Sequence, residues 1–126
     1  MQGKGDLGRL ERVARLKADV ELKRFAAFRR HVAGLQADAD RIAAGIIAEA
    51  ARGAPASVDE ARLAHAITRQ MAGERIALEG EIDRLRPAFD TARQAAAQAY
   101  GRAEVIAALG RRMAAAQATD RARRSP

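Results

Sequence analysis

The chain has 126 residues, no cysteine and a formal net charge of +7. That length suits one domain, and the missing thiols exclude disulfides and thiolate metal sites. Aromatic residues make up only 3% and alanine supplies much of the hydrophobic fraction, which argues against a thick globular core and for long helices.

The opening Met1-Gln2-Gly3-Lys4-Gly5-Asp6 leads into a charged stretch without the apolar centre of a signal peptide. From about residue 6 to residue 52 the pattern is helical, about 70 Å at the rise of an α-helix. Leu7, Leu10, Val13, Leu16 and Val20 start an apolar stripe. From Phe25 the spacing alternates three and four through Phe28, Val32, Leu35, Ala39, Ile42 and Ile46, the seam of a coiled coil. A phase slip is expected between Val20 and Phe25. The most apolar run, Ile42 to Ala51, contains Glu49 and is too short to cross a bilayer. A cytoplasmic chain without membrane insertion is the expectation.

Residues 53–57 read as a turn. Gly53 can close a helix in the left-handed conformation, and Pro55 cannot continue one. Ser57 stands three residues before Glu60, the spacing of a capping box. In that motif the Ser57 hydroxyl accepts the Glu60 amide, and the Glu60 carboxylate reaches the Ser57 amide. A second helix is expected over residues 58–121. Its seam runs Ala64, Ile67, Met71, Glu74, Leu78, then Ile82, Leu85, Phe89, Ala92 and Ala96 onward to Met113, with a stutter around Leu78. Pro87 removes one helical hydrogen bond, yet the seam keeps phase across it, so a kinked continuous helix is expected rather than a third helix. The last residues, from Arg121, are expected to fray.

The fold class is therefore all-α: residues 1–126 form one antiparallel coiled-coil hairpin with the longer arm second. Symmetric folding about Ala54 and Pro55 gives facing residues whose numbers sum to about 110. Phe25 then meets Leu85, Phe28 meets Ile82, Val32 meets Leu78 and Ala39 meets Met71. Beyond Phe89 the seam is alanine-rich, and the half near the termini is expected to be the less stable one.

Charge is uneven along the chain. Residues 1–30 carry nine positive and four negative groups, and residues 91–126 carry seven and two. Folding back brings these two basic segments together at one end, where their summed field favours an acidic partner. Arg9, Arg12, Arg15, Arg111 and Arg112 are the candidate contacts. Catalytic chemistry has no foothold: no glycine-rich phosphate loop, no nucleophile with a base, and no cavity to shift a carboxylate are visible. His31 and His65 stand alone, so neither a metal nor any other cofactor is expected.

The stretch Leu85 to Met113, LRPAFDTARQAAAQAYGRAEVIAALGRRM, and the basic tail Asp120-Arg121-Ala122-Arg123-Arg124 resemble the FliJ family of flagellar type III export proteins, related to the YscO group. The resemblance extends to the basic N-terminal lead and the two long helices joined by a capped turn. It implies a non-enzymatic cytoplasmic stalk, peripheral to the membrane-bound export apparatus. Such a stalk binds and helps assemble a hexameric export ATPase, and engages the export gate and substrate chaperones. Two other readings follow from the residues alone. One is a basic coiled coil that binds nucleic acid. The other is a homo-oligomeric scaffold using Leu10, Val13, Leu22, Ile47 and Ile76.

Overall fold

The computed structural model describes residues 2–125; Met1 and Pro126, the ends of the expected hairpin, lie outside the described residues. It contains two helices, α1 (Gln2–Ala50) and α2 (Val58–Arg124), which pack against each other as a helical hairpin. Both helices exceed the expected bounds at the chain ends. α1 starts four residues before Asp6. α2 runs through the tail expected to fray, where Arg124 pairs with Asp120 at 3.2 Å.

The turn forms as its residues dictate, with one difference. Gly53 has φ of 89°, the left-handed conformation that releases the chain from α1. Ser57 Oγ accepts the Glu60 amide at 3.1 Å. The Glu60 carboxylate overshoots Ser57 and accepts the Ala56 amide instead, at 2.9 Å. Glu60 thus satisfies a donor in the connector, and Ser57 satisfies one in the first turn of α2.

The burial pattern gives α1 an unbroken seam and α2 a seam interrupted only at the exposed Glu74 and Arg75. In α1 the half-buried or buried positions include a seam of Leu7, Glu11, Ala14, Ala18, Glu21, Phe25, Phe28, Val32, Leu35, Ala39, Ile42, Ile46 and Glu49. Their steps alternate four and three throughout, so the expected slip near Val20 is absent. Leu10, Val13, Leu16 and Val20 point away from the seam and are exposed. In α2 the seam runs Ala61, Ala64, Thr68, Met71, then Leu78, Ile82, Leu85, Phe89, Ala92, Ala96, Ala99, Ala103, Ile106 and Gly110. Thr68 replaces the expected Ile67, which is exposed, and Glu74 is likewise exposed. Thr68 can occupy an apolar seam because its hydroxyl donates to the Ala64 carbonyl at 3.0 Å. No stutter remains.

Two compact units divide the hairpin: unit 1 is Met1–Ala26 with Asp90–Pro126, and unit 2 is Ala27–Phe89. In unit 2, Phe28 stacks against Phe89, and Gly45 lies against the Met71 sulfur. In unit 1, Ala18 clusters with Ala99 and Ala103, with Ala14 packed beside them. Leu7 and Glu11 lie against Gly110. The numbers of these pairs sum to about 117, one heptad above the 110 of a symmetric turn. Phe28 therefore meets Phe89 and not Ile82. Ala39 falls at the level of Leu78 and not Met71. The displacement has a consequence at the tip, where Ala50 stands level with about residue 67. The first turns of α2 extend past the end of α1, and the connector lies along them. Arg52, Gly53 and Pro55 there line a small groove with Glu60, Leu63 and Ile67.

Pro87 lies within α2, which continues through it as a helix. The seam phase puts it on the outer face, where water can serve the Asp83 carbonyl left without a helical donor.

Among the described residues the buried side chains are all alanines: Ala18, Ala39, Ala96, Ala99, Ala103 and Ala107. Five of these six belong to unit 1. Small side chains there allow close backbone approach, but each removes little apolar area from water.

Candidate functional site

Unit 1 holds the whole charge excess of the chain. Residues 1–26 and 90–126 carry fourteen positive and seven negative groups, whereas residues 27–89 carry nine of each. Within unit 1, a shallow groove of about 390 Å³ runs between the helices, lined by Leu7, Gly8, Glu11, Arg15, Ala107, Gly110 and Arg111. At its floor Gly110 faces seam residue Glu11, whose Oε2 lies 3.7 Å from where a Cβ would stand, an ordinary contact distance.

The groove brings together two of the five arginines singled out in the sequence. Arg15 donates to Glu11 Oε1 at 2.9 Å, so its charge is largely offset. Arg111 forms no ion pair among the described residues, leaving a guanidinium available to an incoming carboxylate. Arg9, Arg12 and Arg112 are exposed on other parts of the helix surfaces and do not line the groove. Along α2 the exposed Arg102, Arg121 and Arg123 extend the basic character. By the register, α2 continues about nine residues beyond the start of α1, a basic extension of roughly 13 Å.

Of the ten residues assigned to the seam, Phe25, Phe28, Val32, Ile42, Ile46, Met71, Leu78, Ile82 and Leu85 are half-buried, and Ile67 is the one that is not. The groove itself was hidden from pattern reading because polar Glu11 forms part of the seam. Continuing the three-four alternation backward from Phe25 would have reached it.

Among the described residues no cluster of histidine and acidic side chains has metal-binding spacing, and no helix is long and apolar enough to cross a membrane. The fold and surface define a class, an all-α hairpin with one basic unit and one neutral unit. Comparison with protein-family models, curated proteins and solved structures finds no match.

Proposed function

We propose that this protein is a non-enzymatic coiled-coil docking protein whose basic unit engages an acidic protein surface, acting as the stalk or escort of a flagellar type III export apparatus. Its partner in that role is a hexameric export ATPase, whose assembly it promotes, with the export gate and substrate chaperones as further contacts. The observation that supports this reading most is the separation of charge: unit 1 carries the net +7 and unit 2 carries none. A partner with an acidic rim would be steered to unit 1, while the neutral unit adds no competing field. Leu85 to Met113 and the arginine-rich tail supply the resemblance to the FliJ family.

The test is capture of a purified hexameric export ATPase by the full chain, with Arg9, Arg12, Arg15, Arg111 and Arg112 changed to glutamate as the comparison. Binding should weaken about tenfold or more, with a shallower dependence on salt. Unchanged binding and unchanged hexamer assembly would remove the proposed contact. Retention on DNA or RNA with a steep salt dependence, and no capture of the ATPase, would move the assignment to nucleic acid.

A further inference from the structure

A second surface of unit 1 is left unexplained by the basic groove. Leu10, Val13 and Val20 of α1 are 52%, 61% and 53% exposed, and Val105 and Leu109 of α2 are 61% and 46% exposed. Lettering the repeat so that seam positions are a and d, all five fall at c or g. In an antiparallel pair the g positions of both helices line the same flank. The register sets Leu10 level with Leu109 and Val13 level with Val105, within one helical turn. The two stripes therefore form one apolar strip along a single flank.

The charges on this flank are predominantly of one sign. Across unit 1 the c and g positions include Lys17, Arg24, Arg102, Arg112 and Arg123 and one acidic residue, Asp6. Arg24 is held by Glu21 at 3.6 Å. Lys17, Arg102 and Arg112 form no ion pair among the described residues. The acidic groups Asp19, Asp90 and Glu104 stand at outer b positions, away from the strip.

From this juxtaposition we propose that the Leu10–Val13–Val105–Leu109 flank of unit 1 is the docking face for an acidic amphipathic helix of another protein, which packs along both helices as a third. Such a helix buries aliphatic side chains at i, i+3, i+4 and i+7 between α1 and α2, with Asp or Glu on its edges meeting Lys17 and Arg102. A second copy of this chain is the wrong occupant, because an identical flank would bring like charges together. Nucleic acid gains nothing from the branched aliphatics. A bilayer surface favours a face bearing Trp, Phe or Leu, whereas this flank carries three valines, two leucines and no aromatic residue. The inference does not depend on the export-ATPase reading, whose five arginines share only Arg112 with this flank.

The experiment titrates the full chain into a fluorescent glutamate/leucine model helix and follows anisotropy. A lysine/leucine helix of the same pattern, phosphatidylserine vesicles and duplex DNA serve as competing probes. Saturable binding of the acidic helix is expected, weakened about tenfold or more by Val13→Gln with Leu109→Gln and by Lys17→Glu with Arg102→Glu. Arg15→Glu with Arg111→Glu, which alters the basic groove, should leave it within about threefold. Circular dichroism of each variant checks that the exposed substitutions leave the helices intact. No binding of the acidic helix, equal binding by the Val13→Gln/Leu109→Gln variant, or vesicle binding lost in that variant while the peptide never binds, each overturns the proposal.

Discussion

The rings of Phe28 and Phe89 lie with centroids 6.0 Å apart and planes tilted by 54°. This is a tilted aromatic pair of the kind worth about 0.5–1.5 kcal/mol beyond its buried area. It joins the two helices in a seam made mostly of aliphatics and alanine, and it holds unit 2 one heptad away from the symmetric pairing. Cross-linking tests that register directly, because the natural chain has no cysteine to interfere. Ala39→Cys with Leu78→Cys should oxidise to an intramolecular disulfide, while Ala39→Cys with Met71→Cys should stay reduced. The reverse outcome would restore the symmetric register. Phe89→Ala should cost unit 2 about 2–3 kcal/mol in denaturant unfolding, less than a fully buried ring because both rings are half-buried.

Much of this hairpin was legible in the sequence, and the misreadings share a cause. Gly53, Pro55 and Ser57 marked the turn because each has a backbone preference that no neighbour overrides. Phe25 to Ile46 marked a seam because large aliphatics and aromatics recur there at helical spacing. Register was not legible, since a displacement of seven residues maps one seam onto itself and leaves every apolar residue facing an apolar residue. Near the N-terminus, Leu10, Val13, Leu16 and Val20 looked like core by hydrophobicity. The seam instead took Glu11, Ala14, Ala18 and Glu21. Small size decided that choice: Ala14 and Ala18 can meet Ala99 and Ala103 at close approach, and bulkier side chains cannot. The basic character of unit 1 was legible from charge counting; the pairing of Arg15 with Glu11 needed coordinates.

The turn offers a second prediction, on stability. Ser57→Ala removes the acceptor for the Glu60 amide and should cost about 1 kcal/mol. Gly53→Ala forces a β-carbon into the left-handed region and should cost a comparable amount, about 1 kcal/mol. Urea unfolding followed by circular dichroism reads both. Because the two sites act on different helix ends, the double variant should show near-additive losses.

Glycines within the helices separate propensity from packing. A β-carbon at Gly34 or Gly101 would meet nothing within 4 Å. Gly34→Ala and Gly101→Ala should each raise stability by about 0.5–1 kcal/mol. At Gly45 the same atom would stand 3.3 Å from the Met71 sulfur, so Met71 must retreat a few tenths of an ångström. Gly45→Ala should therefore gain clearly less than the other two in thermal unfolding. Equal gains at all three positions would show that Met71 repacks without cost.

The alanine seam of unit 1 sets where the hairpin opens first. Ala99 and Ala103 are 4% and 7% exposed and lie against Ala18, so their packing depends on close approach more than on buried area. Ala103→Leu should push the helices apart and cost about 1–3 kcal/mol. Ala97→Leu, on the exposed outer face, should change stability by less than about 0.5 kcal/mol. The same economy of buried surface predicts the order of opening. Native-state hydrogen exchange should find the slowest amides in unit 2, around Phe28, Val32, Ile82 and Leu85, where large side chains are half-buried. Amides flanking Ala18, Ala99 and Ala103 should exchange through a lower-energy opening. Protection in unit 1 equal to that in unit 2 would show that close helix contact compensates for the missing apolar area. If the acidic helix docks on the Leu10–Leu109 flank, its addition should slow exchange in unit 1 first, because binding there adds the apolar burial that the alanines do not supply.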